Sequence, residues 1–214
     1  MKKFYNYIIN SKDPIETTRK FVAPICKEKL KQSILECNKC KNNFDKKICI
    51  GNPDADIFII DDSLDNYESK DSYSNIIHYL KLCDIDLNNV FIINCVNCIC
   101  KRKTKDKEVF CIPSDTYLRN CKEYVDYAIK FVNPKVILCI GAAVNQYQPN
   151  TPINNDTVEK VYNFYNKPTF IIYSPSEVLK LKKYSEAESI KKHNQIVKTL
   201  KRIKKYLELV TDKH

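Results

Sequence analysis

Four short apolar runs, separated by segments with helical periodicity, constrain the fold of this chain more than any other feature. They are rich in β-branched residues and do not alternate with polar residues, as is typical of parallel strands buried on both faces. Between them, apolar residues recur at helical spacing. This order predicts an α/β fold of three layers, α/β/α, around a mainly parallel four-stranded sheet. The runs are DIFIIDD at 56–62, VFIINCVN at 90–97, PKVILCIGAA at 134–143 and PTFIIYSP at 168–175.

The length of 214 residues is enough for one α/β domain whose sheet is covered on both faces. We therefore predict a single domain over residues 1–214. Residues 1–36 are predicted to form a polar helical extension interrupted at Pro14 and Pro24, and residues 184–210 one long basic helix.

Polar or small residues follow each of the four predicted strands. The carboxyl ends of parallel strands meet at one edge of a sheet, and ligands of open α/β proteins bind there. We therefore expect these residues to line a single rim. They are Asp61 to Ser63, Asn94 to Cys98, Gly141 to Ala143 and Ser174 to Ser176.

The chain contains only two glycines, Gly51 and Gly141. Phosphate-binding loops and dinucleotide fingerprints need several glycines close together, because the backbone must approach the phosphates. We therefore do not expect a kinase, a P-loop NTPase or a Rossmann dehydrogenase.

The chain contains eleven cysteines, and the role of cysteines depends on whether the cellular compartment is oxidising or reducing. The N-terminus has no apolar segment of signal-peptide length, and no run is long enough to span a membrane. These patterns predict an intracellular protein that is not secreted and has no membrane partner. In a reducing compartment, clustered cysteines serve as metal ligands or small core residues more often than as disulfides.

Cys37 and Cys40 have the CxxC spacing that lets one loop supply two metal ligands. Two completions are possible: Cys95 with Cys98, which gives a zinc-like set, or Cys98 with Cys121. Alternation along the strand places Cys95 and Cys98 on opposite faces, which favours the second completion and leaves Cys95 in the core.

The net charge of +10 favours polyanionic partners, although a chain rich in Lys, Asn and Ile equally reflects AT-rich coding. The densest basic segment begins at Lys101, Arg102 and Lys103. It is predicted to be a loop that either contacts nucleic acid or is simply solvated.

The order of these motifs resembles the iron–sulfur families, 4 and 5, of the uracil-DNA glycosylase superfamily. The resemblance covers about residues 37–200. Its segments are CNKC at 37–40, GNPDADIFIIDDSLD at 51–65, INCVNC at 93–98, PSDTYLRNCKEYV at 113–125, PKVILCIG at 134–141 and YSPSEVL at 173–179.

This resemblance implies a DNA partner and a pocket at the strand tips for a base extruded from DNA. It also implies a structural [4Fe–4S] cluster, with zinc as the alternative metal. The cluster ligands would be Cys37, Cys40, Cys98 and Cys121.

Two family motifs are altered. The glycine-rich motif after the first strand reads Asp61-Asp62-Ser63-Leu64-Asp65, and Ser174 stands where the family has histidine. Cleavage of a glycosidic bond produces a base anion, and losing a donor that stabilises such an anion costs a few kcal/mol. The resemblance assigns Asp62 as the catalytic residue that positions water. It implies Asn94, Ser174 and Tyr67 as substrate-binding residues, with Tyr73 an alternative to Tyr67 as the stacking ring. Asp62 at a strand end and Ser174 before Pro175 are alternatively ordinary turn residues, and Asn94 alternatively bonds the neighbouring backbone.

The segment after Ser174 is implied to contact DNA. In the superfamily this segment wedges an apolar side chain into the duplex while cations hold phosphates, which implies Leu179 as the wedge and Lys180 as a phosphate contact. A core leucine at the start of a helix is the equal alternative for Leu179.

Three functions are compatible with these patterns. The first is a DNA-binding iron–sulfur protein with a degenerate base pocket, a reader of uracil-containing DNA or an accessory factor with a partner in repair or replication. The second is an active uracil-DNA glycosylase that hydrolyses the N-glycosidic bond of deoxyuridine. The third is a zinc-containing structural module without a DNA role.

Overall fold

The computed structural model describes residues 14–40, 45–62, 73–99, 101–103, 108–110 and 113–211. Tyr67 therefore lies outside the described residues.

A six-stranded sheet forms the centre of the molecule, in the order β1-β3-β2-β6-β8-β7. The four inner strands are mutually parallel, as predicted. Nearly every residue on them is buried, and burial of each large aliphatic side chain contributes about 2 kcal/mol. These strands are β2 (Ile57–Asp61), β3 (Val90–Asn94), β6 (Val136–Ile140) and β8 (Lys167–Ile172).

The two edge strands are antiparallel to their neighbours, so the prediction of four strands was two short. β1 (Ile50–Gly51) has only two residues, too few to form a pattern. β7 (Val161–Phe164) is half-exposed and lacks a continuous apolar run. It joins β8 through Tyr165 and Asn166, which both have positive φ, as a tight two-residue hairpin requires.

The predicted basic loop is also partly regular. β4 (Lys101–Lys103) pairs antiparallel with β5 (Glu108–Phe110), so Lys101, Arg102 and Lys103 lie on one strand of a small separate hairpin.

Helices cover both faces of the sheet. α3 packs against β2 and β3 with α1 outside it, whereas α2, α5 and α6 contact one another and α6 contacts β8. The connection from β2 through α2 to β3 and the connection from β3 through α3 to β6 run in opposite directions along the sheet. Because such crossovers are right-handed, α2 and α3 lie on opposite faces. The predicted α/β/α layering is confirmed. The helices are α1 (Pro14–Leu35), α2 (Ser74–Leu82), α3 (Asp115–Val132), α4 (Asn155–Glu159), α5 (Pro175–Leu181) and α6 (Glu186–Thr211).

The observed course of α1 and the starting residue of α6 differ from the predictions made from the sequence. α1 begins at Pro14, which suits the first turn, but it continues through Pro24, so the predicted interruption there is wrong. Pro24 is exposed and Leu30 and Ile34 are buried, so packing beyond the proline sustains the helix.

α6 begins two residues later than predicted. It buries a stripe of four aliphatic residues at helical spacing: Ile196, Leu200, Ile203 and Leu207. None of the described helices is both long and apolar enough to cross a bilayer.

Candidate functional site

The carboxyl ends of the inner strands meet at a point where the strand order reverses. From β2 the chain passes to β3 on one side and then across to β6 on the other, and ligands of such sheets bind in the crevice between the two directions. Asp62 directly follows β2, and Gly141 directly follows β6. Asp61 is aligned with Asn94 across β2 and β3. The predicted rim is therefore present.

Gly141 makes room for the side chain of Asp62. Its φ is +49°, and a Cβ placed on it would overlap Oδ2 of Asp62 and lie 3.2 Å from Cβ of Ser174. The carboxylate of Asp62 and the side chain of Ser174 thus both lie against Gly141, and both residues are buried. Asp62 and Ser174 come together as predicted, but the carboxylate fills the crevice between β2 and β6.

Asn94 is fully buried and its side-chain amide already has a partner. Its Nδ2 donates a hydrogen bond to Oη of Tyr73 at 2.7 Å, and that hydroxyl donates to the carbonyl of Ile48 at 3.2 Å. Burial, with a further contribution from Asp61, raises the pKa of Tyr73 well above its usual value, so the phenol stays neutral. The amide expected to read a base edge is therefore engaged by a tyrosine of the same chain.

Tyr73 is the site residue that the sequence indicated least clearly. It lies at the start of α2 with a left-handed φ of 67°, and its ring is completely enclosed. The sequence indicated it only as an alternative to Tyr67 for the ring that stacks on a base. No local pattern showed that it would bond to Asn94, because 21 residues separate the two.

Several polar atoms at the strand ends are unsatisfied within the described residues, among them the side-chain amide of Asn97. Oδ1 of Asn94 and Oγ of Ser174 are enclosed and make no hydrogen bond within the described part of the chain. An enclosed polar atom without a partner costs about 1–3 kcal/mol. With the carboxylate of Asp62, they are the groups through which the site could still hold a small polar ligand.

The four predicted cluster cysteines lie on segments that tertiary contacts draw together. Cys37 and Cys40 follow α1, Cys98 follows β3, and Cys121 lies on α3. The loop before β1 runs beside Cys98 through a backbone bridge at Lys46.

Side chains connect the same four segments. Nζ of Lys46 donates to Sγ of Cys98 at 3.4 Å and to the carbonyl of Cys37 at 2.8 Å. Nδ2 of Asn120 donates to Sγ of Cys40 at 3.5 Å, and Asn120 precedes Cys121. Neither Lys46 nor Asn120 was expected from the sequence, since no spacing pattern links either residue to a cysteine.

The thiols also influence one another electrostatically. The pKa of Cys121 is raised to about 12: burial is the main cause, the backbone N–H of Asn97 opposes it, and Cys98, Cys40 and Cys37 add smaller increases. Burial is also the main cause that raises the pKa of Cys98. Lys46 lowers this pKa, and Cys40 and Cys37 raise it further. The four thiols are thus within electrostatic reach of one another, and none is in a disulfide.

No three His, Cys, Asp or Glu side chains of the described residues are arranged to hold a metal ion.

The predicted DNA-contacting residues on α5 lie at the surface. The side chain of Leu179 is 53 % exposed, whereas its neighbour Val178 is 3 % exposed and supplies the core contact. The alternative that Leu179 is a core residue is therefore wrong. Lys180 is also exposed, and α5 begins at the rim directly after Ser174.

A model of the uracil DNA glycosylase superfamily matches residues 50–201, more than half of the chain. The comparison with curated proteins gives no match. The matched region begins at β1 and ends within α6, so it includes Asp62, Asn94, Cys98, Cys121 and Ser174. The chain belongs to the uracil DNA glycosylase superfamily.

Proposed function

We propose that this protein binds DNA through its uracil DNA glycosylase fold and that its base pocket no longer supports hydrolysis. The hydrogen bond between Asn94 and the enclosed Tyr73 carries this proposal. A base entering the strand ends would have to displace the Tyr73 ring and break that bond before it could use the amide.

The remaining groups are poorly suited to the reaction. Hydrolysis needs a carboxylate or ordered water near the sugar and a strong donor at the base oxygen, where negative charge develops. Asp62 is enclosed against Gly141, so it has little room to position water. Ser174 supplies one neutral hydroxyl, and loss of such a stabilising donor typically lowers turnover by ~10²–10³.

We also propose that Cys37, Cys40, Cys98 and Cys121 hold a [4Fe–4S] cluster. Four thiols within electrostatic reach are the usual donor set of such a cluster. Zinc held by the same four cysteines is the alternative. The cluster would be structural, tying the end of α1, the loop at Lys46, the end of β3 and α3 together beside the rim.

In this proposal Leu179 and Lys180 contact DNA from α5, and Lys101, Arg102 and Lys103 contact it from the hairpin. The protein would be intracellular and would act as a reader of uracil-containing DNA or as an accessory factor with a protein partner in repair or replication. Such a role needs the surface and the fold but not turnover.

An active glycosylase is the second candidate. One observation favours it: the carboxylate of Asp62 and the side chain of Ser174 both lie against Gly141, and Oδ1 of Asn94, at the end of the neighbouring strand β3, has no hydrogen-bond partner among the described residues. These three groups could position water and a base if Tyr73 moved.

The deciding experiment incubates the pure protein with uracil-containing single- and double-stranded oligonucleotides and then cleaves abasic sites with alkali. We expect salt-dependent binding without strand scission. Scission that disappears in Asp62→Asn and Asn94→Ala would establish the active enzyme instead.

A further inference from the structure

Lys46 is placed between two separate segments of the cysteine site. Its ammonium donates to Sγ of Cys98 and to the backbone carbonyl of Cys37, and its own backbone is bridged to Cys98. One side chain therefore connects the segment after α1 with the segment after β3.

The charge of Lys46 has no anionic partner within the described residues. Its side chain is partly buried, and its contacts are a thiol and a carbonyl rather than a carboxylate. Lys39, on the same segment as Cys40, forms an ion pair with Glu123. A partly buried ammonium is stabilised much more by an anion than by neutral acceptors, so its position indicates that negative charge is expected there.

Asn120 makes a second, neutral contact of this kind. Its Nδ2 approaches Sγ of Cys40 at 3.5 Å. Lys46 and Asn120 thus direct N–H groups at two of the four sulfurs, from different segments of the chain.

We infer that Lys46 is a positioning residue that retains the cluster and raises its reduction potential, and that Asn120 adds a smaller effect. This inference rests on the proposed cluster. Four thiolates around a [4Fe–4S] core carry net negative charge, and hydrogen bonds to the sulfurs are among the factors that set its potential. N–H groups and a positive charge stabilise the more negative, reduced form and oppose dissociation of the thiolates. Losing partners of metal ligands typically costs ~10–100-fold in metal affinity.

The test compares Lys46→Met with wild type and with two matched variants. Lys46→Arg keeps the charge and the donors. Lys39→Met removes a nearby lysine that pairs with Glu123 and lies within electrostatic reach of Cys37 and Cys121, but that makes no hydrogen bond to a sulfur among the described residues. Each protein is purified without oxygen. The measurements are iron per chain, the rate at which visible absorbance is lost to a chelator, and the reduction potential.

We expect Lys46→Met to lose its cluster about tenfold faster than wild type and to have a lower potential. Lys46→Arg should remain near wild type. Lys39→Met and Asn120→Leu should lie between wild type and Lys46→Met, because Lys39 reaches Cys37 and Cys121 only electrostatically and Asn120 is a neutral donor. Thermal melting of the iron-free forms separates a packing role from this one, because the inference predicts similar melting temperatures for iron-free wild type and Lys46→Met.

Equal rates of cluster loss in Lys46→Met and Lys39→Met, or an unchanged potential in Lys46→Met, would overturn the inference. If wild type holds no iron even after reconstitution, both the cluster and the role of Lys46 are wrong. DNA binding of the same preparation is then still a separate measurement of the proposed function.

Discussion

The strand-end pocket and the cysteine site satisfy their polar groups in different ways. In the pocket, the amide of Asn94 is bonded to Tyr73, and the carboxylate of Asp62 is enclosed against Gly141. At the cysteine site, Lys46 and Asn120 direct donors at sulfur atoms that are weak acceptors as neutral thiols. The first region pairs or packs part of its polar groups within the chain but leaves Oδ1 of Asn94 and Oγ of Ser174 without a hydrogen bond in the described residues. The second directs donors at sulfurs that become strong acceptors only when they are ionised.

The largest effect is expected from removing one of the four proposed cluster ligands, a change that acts on the cysteine site and not on the pocket. Cys121→Ser should abolish iron binding and lower the free energy of unfolding by several kcal/mol, because binding of a structural metal is coupled to folding. Iron analysis and chemical denaturation measure both. Cys139→Ser is the matched control: Cys139 is fully buried in β6, so this variant should lose stability but keep its iron. Full iron content in Cys121→Ser would contradict the ligand set.

A substitution at Gly141 tests how tightly the pocket is filled. Gly141→Ala should destabilise the protein by about 2–4 kcal/mol, because it combines an unfavourable φ with overlap at Asp62. In a double-mutant cycle, Asp62→Ala should remove the overlap and leave only the backbone cost, a coupling of about 1–2 kcal/mol. Additive effects in denaturation curves would show that Asp62 does not lie against Gly141.

Removing one hydroxyl tests the contact that occupies Asn94. Tyr73→Phe should lower the free energy of unfolding by about 1–2 kcal/mol, because the Nδ2 donor is left enclosed without a partner. Tyr184→Phe is the control, since Tyr184 is 87 % exposed and should change little. Equal stability of the two variants would contradict the buried bond.

The smallest effects are expected at the surface that we propose contacts DNA. Lys180→Ala should weaken binding to all sequences alike and reduce the slope of log affinity against log salt by about 0.9. Leu179→Ala should weaken duplex binding without changing that slope, because it removes no charge. Fluorescence titrations over a range of salt concentrations distinguish them. An unchanged slope in Lys180→Ala would remove this lysine from the interface.

The inner sheet could be predicted because its four strands are buried on both faces and read as continuous apolar runs. β1 and β7 could not, since one is too short and the other half-exposed. The sequence also predicted that Asp62 and Ser174 lie at the same rim, because the carboxyl ends of parallel strands meet at one edge of the sheet. The Tyr73–Asn94 bond and the position of Lys46 depend on contacts between distant segments, which carry no periodic signal in the sequence.

The packing of Asp62 against Gly141 also limits which amino-acid substitutions could open the pocket during evolution. Shortening Asp62 alone would leave Tyr73 against Asn94, and shrinking Tyr73 alone would leave the crevice occupied. Neither step by itself would admit a nucleobase, so selection for cleavage would have no graded route through single replacements.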